Sequence, residues 1–363
     1  MRLSSTYAKD LNNVTSLNLI MRDIVQKKLE GVVDDEGFDN YYSSEGNSRE
    51  AEETEDSSKA AVVRSYREAN LKRMSREEKL EWLAGYIDGD GSITTLWRKD
   101  RGGRWHRNVY VASVDFSAVQ VVNELMAELG IFGRVYERGA NKRLYYSWNI
   151  QDRRNLKRFV WLFANRFCTS TRVGQLAILA DSLDLDVEIS TGETSLPWVA
   201  GFFEAEGCIT CSVVKERGTK LVLVSITQRD KDILSKVSDI LKGYSIGRLY
   251  ISRAKNRSTW RLDIAGAVNV RGFINLIGGY VLSDKKIMQV LRAVDFIKNW
   301  NVGYKETSWL PEICETALEL RRRGMSCSRI ARVMNAKFGI SVSGNAVWVK
   351  LKRLKGVNSG EVE

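Results

Sequence analysis

The sequence predicts an α+β protein made of two pseudo-symmetric αββαββα repeats with antiparallel sheets, followed by a small all-α domain. A long stretch of the chain occurs twice, and its two copies keep an offset of 114 residues that pairs Gly133 with Gly247 and Ile150 with Ile264. Each copy is patterned as helix, two strands, helix, two strands and helix. A basic segment with helical pattern follows the second copy. Chance similarity does not hold register over such a length, so the repeat defines the fold class.

The repeat and the composition together divide the chain of 363 residues into five segments. The first 57 residues carry 6 Lys and Arg against 13 Asp and Glu, and their acidic part lacks hydrophobic periodicity, which is typical of disorder. No role for this region follows from the sequence. The predicted segments are a leader and acidic, disordered linker at 1–74, a first repeat at 75–183, an inter-repeat linker at 184–196, a second repeat at 197–302 and a helical unit at 303–363.

Composition disfavours several classes of function. The chain has a single histidine, His106, which argues against a Ser-His-Asp hydrolase, a histidine-dependent nuclease and a His-rich metal site. No apolar run approaches the ~18 residues that span a bilayer, so no membrane partner is expected. Five cysteines, an odd number, favour a reducing, intracellular compartment, and the lone pair Cys208 and Cys211 is a poor zinc signature. Any catalysis must therefore depend on carboxylates.

Charge indicates the class of partner. The net charge is +11, and because the first 57 residues contribute −7, the rest of the chain carries +18. A basic balance of this size, with many aromatic residues, favours a nucleic acid as partner. The alternative is a solvated basic surface without a ligand.

Strand alternation separates the two faces of each predicted sheet. In "KRLYYSWNI", Trp148 and Ile150 share one face, whereas Tyr145 and Asn149 share the other. The second copy, "NRSTWRLDI", repeats the pattern. Each sheet therefore has an apolar face covered by helices and a polar, basic face. The two polar faces together predict a saddle of about the size of a DNA groove.

Two related motifs, "LAGYIDGDG" and "VAGFFEAEG", begin the two repeats. Both place small residues on one face of a helix, which lets two helix backbones approach closely about a pseudo-twofold axis. Gly91 and Gly207 are expected to end these helices in the left-handed conformation that glycine adopts without strain. The predicted helix-interface residues are Ala84, Gly85, Gly89, Ala200, Gly201 and Ala205.

The same motifs bring two carboxylates together. Asp90 is matched by Glu206, and helix pairing places both at helix C-termini, where the helix dipole disfavours negative charge. Protonation of one acid or binding of a divalent cation would relieve the repulsion. Mg²⁺ (or Mn²⁺) is expected, since Mg²⁺ binds one or two carboxylates together with phosphate oxygens and can activate water for hydrolysis. The alternative is a pair of structural acids without chemistry.

These motifs and the matched repeats resemble the LAGLIDADG homing endonucleases in their single-chain, two-repeat form, over roughly residues 75–300. The resemblance implies a monomer that cuts both strands of double-stranded DNA, at a long asymmetric target, across the minor groove and leaves short 3′ overhangs. It implies Asp90 and Glu206 as the catalytic, metal-binding acids, with Gly89 and Ala205 as further metal-binding positions. It also makes the mitochondrion or chloroplast an expected location within the cell.

The resemblance extends to other catalytic candidates. Gln228, at the end of a second strand, matches a family glutamine that helps to position water, and Ala118 is taken as its counterpart in the first copy. A basic residue near the start of the last helix of a repeat corresponds to Lys285 or Lys286. At the 114 offset, the matching residues of the first copy are Thr171 and Arg172.

Side chains on the polar sheet faces are expected to contact bases or phosphates of the DNA. Their phase along the predicted strands selects them, and a surface arginine without a ligand is the alternative for each. The predicted DNA-binding residues are Thr94, Arg98, Arg134, Arg143, Tyr145, Asn149, Ser212, Arg248, Arg257, Arg261 and Asp263.

The C-terminal segment predicts a helix-turn-helix. Pro311 opens the first of three short helices, which ends at Gly324; the second runs near 328–337 and the third starts near Ser343. "SRIARVMNAKFG", followed by a turn and a basic helix, would seat the last helix in a major groove. A small helical bundle attached to the core is the alternative.

Two rival functions fit the same pattern. One is an intron maturase that assists RNA splicing, with intron RNA as a partner, and the other is a non-catalytic DNA-binding regulator. By the resemblance, many maturases lose a catalytic acid and such regulators usually have degraded motifs, so the presence of both Asp90 and Glu206 favours the nuclease. Nuclease and maturase activities can coexist in one protein of this kind. Neither the target sequence nor a host intron follows from the sequence.

Overall fold

The structure is a computed structural model that describes residues 49–98, 103–140, 143–214, 219–254, 258–298, 311–338 and 342–357. Helix α1 (Arg49–Arg73) precedes the first repeat. The first repeat consists of α2 (Arg76–Asp90), β1 (Gly91–Arg98), β2 (Arg104–Ser113), α3 (Phe116–Glu128), β3 (Arg134–Ala140), β4 (Arg143–Ile150), α4 (Arg153–Phe163) and α5 (Ser170–Ser182). The second consists of α6 (Leu196–Glu206), β5 (Gly207–Val214), β6 (Thr219–Gln228), α7 (Lys231–Gly243), β7 (Leu249–Arg253), β8 (Trp260–Ala265), α8 (Ala267–Ile277) and α9 (Asp284–Lys298).

The two repeats share one topology, which confirms the predicted fold class. The strand order is β1-β2-β4-β3 in the first sheet and β5-β6-β8-β7 in the second, with antiparallel pairing throughout. The registers also agree, since Ile93 lies opposite Val109 and Ile209 lies opposite Val224. Each repeat ends in two helices instead of the single one expected, because a turn interrupts the final helical segment.

One hydrophobic core joins the two repeats. Strand alternation buries Trp148 and Ile150 in β4 and Leu262 and Ile264 in β8, as their spacing predicts. These side chains belong to a single cluster of buried apolar residues that runs through both sheets and their helices. No helix in the described part of the chain combines the length and the apolar character needed to cross a membrane.

The two motif helices, α2 and α6, start at well-formed caps. Helix α2 begins with a capping box, in which the Ser75 side chain accepts from the backbone of Glu78 and the Glu78 side chain accepts from the backbone of Ser75. Helix α6 is capped by Ser195 and carries Pro197 in its first turn, where proline fits because no backbone donor is needed. Both helices therefore start at sequence-encoded positions.

The segment before the first repeat differs from the sequence prediction. A disordered linker was expected as far as residue 74, but α1 is helical, and its residues Val63 and Tyr66, one turn apart, are buried in the common core. The acidic stretch ends at Asp56, and the buried positions lie after it, in a part of the helix with five Lys and Arg and one Glu. The expectation of disorder is therefore wrong for α1, whereas residues 1–48 lie outside the described residues.

The C-terminal unit contains the three predicted short helices: α10 (Pro311–Arg322), α11 (Cys327–Phe338) and α12 (Gly344–Val357). Gly324, just after α10, has a φ of +79°, a conformation that glycine adopts without strain. The unit buries a small apolar cluster of its own, formed by Ile313, Ala317, Ile330, Ala331, Met334, Val342, Val347 and Leu351.

Candidate active site and nucleic-acid interface

Helices α2 and α6 pack backbone against backbone. A Cβ atom added to Gly85 would lie 2.0 Å from the carbonyl oxygen of Trp198, and one added to Gly201 would lie 1.9 Å from the carbonyl oxygen of Trp82. Both distances are far shorter than van der Waals contact, so the helices can approach this closely only with glycine at both positions.

The other predicted interface residues flank these two contacts. Ala84 and Ala200 are fully buried beside the glycines. At the far end, a Cβ atom on Gly89 would lie 2.5 Å from the Cβ of Ala205. The helices thus remain in contact as far as the residues that precede the two acids.

The glycines that follow the acids end the helices by a different route from the predicted one. Gly91 has φ −80° and ψ 170°, and Gly207 has φ −93° and ψ 163°, which is extended rather than left-handed backbone. The chain passes directly from each helix into a strand. Glycine is needed here for space, because an added Cβ would lie 2.5 Å from Cγ2 of Ile87 in the first copy and 2.0 Å from Cδ2 of Phe203 in the second.

Asp90 and Glu206 are the last residues of α2 and α6 and lie at the same end of the helix pair. Desolvation by the protein packed around its carboxylate raises the pKa of Asp90 to about 6, although the charges of Lys286 and Arg172 oppose this and the residue keeps an accessible surface. Burial, and after it the negative charge of Asp90, raises the pKa of Glu206 to about 7. Asp90 is exposed and Glu206 half-buried. The two acids therefore repel each other where solvent and a ligand can reach them.

Two basic side chains border the acids at matched positions. Lys286 Nζ donates to the carbonyl oxygen of Gly207, and the Arg172 guanidinium donates to that of Gly91. Burial lowers the pKa of Lys286 and of Arg172. Of the two lysines that the sequence left open, Lys286 faces the site and Lys285 is exposed.

Gln228 also reaches the site, since its Nε2 donates to Glu206 Oε1 over 3.2 Å. The prediction that Ala118 is the counterpart of Gln228 is wrong. Ala118 is buried in α3, and the strand registers make Ser113 the residue equivalent to Gln228. Gln228 and Ser113 each stand two positions beyond the strand residue that pairs with the motif glycine. Ser113 Oγ accepts from the backbone of Asp115 at 3.1 Å. The two halves of the site therefore differ in chemistry.

Asp88, two residues before the first acid, is a position that sequence reasoning missed. Its buried carboxylate accepts hydrogen bonds from Cys168 N at 2.7 Å, from Thr169 Oγ1 and from Trp198 Nε1 at 3.0 Å. Burial raises the pKa of Asp88 to about 6. The carboxylate thus holds the residues that lead into α5 and ties them to α6.

Glu204 has the same function in the second repeat. Glu204 Oε1 accepts from the backbone of Leu282 at 2.5 Å and of Ser283 at 3.0 Å, and Oε2 accepts from Ser283 Oγ. Burial raises the pKa of Glu204. These caps orient the helices that carry Arg172 and Lys286. The signal in the sequence was a carboxylate at the same place in both motifs, within an otherwise apolar stretch.

The predicted DNA-binding residues lie in one phase along the strands. That phase is opposite to the buried Trp148 of the first sheet and to the buried Leu262 of the second. Arg257 lies outside the described residues. The residues in this phase are Thr94, Arg98, Arg134, Arg143, Tyr145 and Asn149 in the first repeat and Ser212, Arg261 and Asp263 in the second. Arg248 is exposed but precedes β7, with a φ of +49°, and is not part of a strand.

Within this face, two of the predicted contacts are buried. Asn149 is 8% exposed and Asp263 is 9% exposed. Asp263 pairs with Arg261 at 2.7 Å and accepts a hydrogen bond from Ser225 Oγ at 2.6 Å. The geometry therefore makes Asp263 a support for Arg261, which is the more exposed of the pair.

The same face adds residues that the sequence analysis did not select. Tyr136 and Arg138 of β3 are exposed in the phase of Arg134, and the Arg138 guanidinium lies 5.8 Å from the centre of the Tyr136 ring. Tyr250 of β7 is 57% exposed in the phase of Asp263. Strand alternation alone could have found all three.

The acids suit a hard divalent cation. Across the described ranges, no group of three or more His, Cys, Asp and Glu side chains is arranged to hold a metal. A cation between Asp90 and Glu206 would therefore draw its other ligands from water, from phosphate oxygens or from the backbone near Gly89 and Ala205. Such a donor set fits Mg²⁺ or Mn²⁺. The raised pKa values of the two acids also fit a pair that gains from a cation.

Comparison with known proteins agrees with this architecture. The family model described as a LAGLIDADG-like domain matches residues 77–162 and 193–278. The protein named "Probable intron-encoded endonuclease 4", from Neurospora crassa, is 28% identical over 153 residues, which is 40% of this chain and 26% of that protein. The chain thus spans about a quarter of the curated relative that it matches.

Solved structures with a distant likeness include the LAGLIDADG meganuclease I-AabMI bound to uncleaved DNA, with a TM-score of 0.48 and 14% identity over 60% of this chain and 90% of that one. Another is the LAGLIDADG homing endonuclease I-GzeII in complex with its DNA target, with a TM-score of 0.46 and 13% identity over 65% of this chain and 96% of that one. Neither assigns a role to a residue here. One matched segment falls on each repeat, so the chain contains two copies of a LAGLIDADG-like domain.

Proposed function

We propose that the chain is a homing endonuclease that hydrolyses one phosphodiester in each strand of a long, asymmetric DNA target. The observation that carries the proposal is the meeting of Asp90 and Glu206 at the ends of two packed helices, each with a raised pKa and each beside a basic side chain. The name of the Neurospora relative and the DNA in the related crystal structures agree with it. A cut across the minor groove with short 3′ overhangs is part of the proposal.

Each residue of the site has its own role in this proposal. Asp90 and Glu206 hold Mg²⁺ or Mn²⁺, which, when bound, lowers the pKa of water and neutralises the leaving oxygen. Gln228, whose amide already contacts Glu206, orients a water molecule on the second repeat's side. Lys286 and Arg172 are held by the carbonyl oxygens of the motif glycines, so their positive charges face the phosphate at fixed positions.

The test is cleavage of an unbiased DNA substrate, with the ends located by sequencing. Genomic DNA containing the uninterrupted insertion site, or a random library, should give ends at one sequence with Mg²⁺ and none with EDTA. The double variant Asp90→Asn with Glu206→Gln should lose cutting by at least ~10³-fold while retaining DNA binding. Lys285→Ala, which changes a nearby exposed lysine, is the matched control and should cut normally. Cutting by the double variant would show that the mechanism is wrong.

The same experiment separates the rival functions. A wild-type protein that binds duplex DNA with Mg²⁺ and never cuts would be a DNA-binding regulator. Preferential binding to a structured intron RNA, with faster splicing of that RNA, would indicate a maturase. Presence of both acids, Asp90 and Glu206, together with Gln228 supports the nuclease over both.

The C-terminal unit provides a second DNA contact in this proposal. The segment from Cys327 to Val357, which contains α11 and α12, has seven Lys and Arg and no Asp or Glu, whereas α10 contains three Glu. Two consecutive helices rich in Lys and Arg suit a helix-turn-helix, with α12 in the major groove and α11 across the backbone. Tethering to the nuclease region raises the effective concentration of this unit at the DNA.

Charge removal tests this contact in the full chain. Arg329→Ala with Arg332→Ala removes two exposed charges of α11, and should shorten the footprint and reduce the salt dependence of binding by about 0.9 per lost phosphate contact. Arg323→Ala, in which the lost side chain was paired with Glu319 at 2.9 Å, is the control and should leave both unchanged. An unchanged footprint and salt slope in the double variant would exclude DNA contact by α11.

A further inference from the structure

We infer that α1 is a positioning element for the second half of the site, and that Asn70 is its key residue. Asn70 lies between the described start of the chain and the first motif, in a segment to which the sequence assigned no role. The inference rests on the proposed function, because it concerns how Lys286 and Glu204 are set for catalysis.

The α1 helix is fixed to one turn of the second repeat, residues 278–283, between α8 and α9. Asn70 Nδ2 donates to two carbonyl oxygens of this turn, Gly278 O at 3.0 Å and Val281 O at 2.9 Å. Tyr66 OH donates to the same Gly278 oxygen at 2.9 Å. Asn70 is 7% exposed and Tyr66 is 3% exposed, so water does not compete freely for these bonds.

Two arginines of α1 also contact the 278–283 turn and the first residue of α9. The Arg73 guanidinium donates to Gly279 O at 2.6 Å and lies 5.1 Å from the centre of the Tyr280 ring. Arg67 pairs with Asp284, the first residue of α9. The last two turns of α1 therefore contact the 278–283 turn and the start of α9.

The turn leads directly to the active site. Its last two residues, Leu282 and Ser283, donate to Glu204, and Ser283 O accepts from Ile287 N at 2.9 Å to begin α9. Lys286 follows in the first turn of that helix. A shift of the 278–283 turn would therefore move Lys286 relative to the acids.

The first repeat supports the inference independently. Its equivalent turn, residues 164–169, is held by the inter-repeat linker: Ser190 N donates to Ala164 O at 3.0 Å, and Gly192 N donates to Phe167 O at 2.8 Å. At the 114 offset, Ala164 corresponds to Gly278 and Phe167 to Val281. The two equivalent carbonyl oxygens thus accept hydrogen bonds in both repeats, from backbone N–H groups in the first repeat and from the Asn70 side chain in the second.

The difference follows from the secondary structure of the two holding segments. The linker is non-helical between α5 and α6, so its backbone N–H groups are free to donate. In α1 the backbone N–H groups are used within the helix, and a side chain must supply both donors. The primary amide of Asn70 has two donor hydrogens, which matches the two carbonyl oxygens.

The two holding segments also cross between the repeats. The linker leads into α6 of the second repeat while it holds the turn of the first. Helix α1 leads into α2 of the first repeat while it holds the turn of the second. Each motif helix is thereby fixed to the turn that orients the opposite repeat's basic residue, Arg172 or Lys286.

The test is Asn70→Asp, which keeps the size of the side chain but replaces both donors with an acceptor. With each DNA strand labelled separately, this variant should slow the cutting of one strand by at least ~10-fold relative to the other, because only the second repeat's turn is released. The pH profile of the slow strand should shift, and DNA affinity should stay unchanged. Tyr66→Phe, which removes one bond, should give a smaller effect in the same direction.

The control is Val63→Ala, which shortens a buried apolar side chain of the same helix and removes none of the hydrogen bonds from Tyr66 and Asn70 to the turn. It should lower thermal stability and leave the ratio of strand cutting rates unchanged. Equal slowing of both strands by Asn70→Asp and Val63→Ala would overturn the inference.

A second readout does not depend on cutting. Amide hydrogen exchange at residues 282–286 should increase in Asn70→Asp and remain at the wild-type level in Val63→Ala. If wild-type protein cuts no DNA, the proposed function fails while this exchange comparison still decides the role of Asn70. Unchanged exchange in Asn70→Asp would refute that role.

Discussion

Replacing Gly85 with alanine should force the two motif helices apart. The added Cβ would lie 2.0 Å from Trp198 O and 2.9 Å from Phe202 N. Because ordinary contact begins near 3.4 Å, the helices must separate by roughly 1–1.5 Å. Overpacking costs about 1–3 kcal/mol where side chains can move aside. Here the obstacle is backbone, so we expect a loss of about 3 kcal/mol or more.

Denaturant unfolding measures this loss, and the chain offers a partner variant and a control. Gly201→Ala, whose Cβ would lie 1.9 Å from Trp82 O, should lose a similar amount. The double variant should lose less than the sum, because the first substitution already separates the helices. Gly174→Ala in α5 meets no heavy atom within 4 Å and should gain up to about 1 kcal/mol from helix propensity.

The same separation should affect the acids. Asp90 and Glu206 stand at the end of the helix pair, so moving the helices apart weakens their repulsion and disrupts a shared cation site. Gly85→Ala should therefore bind Mg²⁺ more weakly, measured by calorimetry. If Gly85→Ala unfolds at the same denaturant concentration as the wild-type protein, the reasoning is refuted, since backbone contact then does not set the helix spacing.

Other expected outcomes concern pH, the buried cap and the C-terminal unit. Mg²⁺ affinity should rise with pH up to about 7, because the pKa values of Asp90 and Glu206 are about 6 and about 7 and both must lose their protons; calorimetry across that range checks this. Metal-free protein should become less stable as pH rises from about 4 towards 7, because the folded state binds these protons more tightly than the unfolded state, and Asp90→Asn should flatten the fall. Asp88→Ala leaves buried donors of Thr169 and Trp198 unpaired and should cost about 3 kcal/mol or more in thermal unfolding, with Asp88→Asn intermediate. Ile330→Ala should cost the C-terminal unit about 2–5 kcal/mol and leave hydrogen exchange in the two repeats unchanged.

Local and repeated features of this protein were predictable from the sequence. The two repeats, the apolar and polar faces of the strands, and the small residues of α2 and α6 follow from periodicity, which depends only on the order of residue types. The pairing of Asp90 with Glu206 followed because the motif occurs twice. The short C-terminal helices were bounded by proline, glycine and serine within a few residues of their observed ends.

Features that depend on contacts between distant segments were not predictable. Lys286 rather than Lys285 faces the acids because of the rotation of α9, which Glu204 sets through a hydrogen bond across 79 positions of the chain. Ser113, and not Ala118, is the counterpart of Gln228, because the strand registers place both two residues beyond the partner of the motif glycine, and the sequence alone does not give these registers.

Helix α1 shows the same limit most clearly. The acidic stretch at its start predicted disorder, and only the tertiary structure brought Asn70 to two carbonyl oxygens of the second repeat. Sequence by itself determined which residues repeat, which faces are apolar and that two acids form a pair. The tertiary structure decided what holds that pair and its basic neighbours in place, because hydrogen bonds between segments far apart in the chain leave no periodic pattern in the sequence.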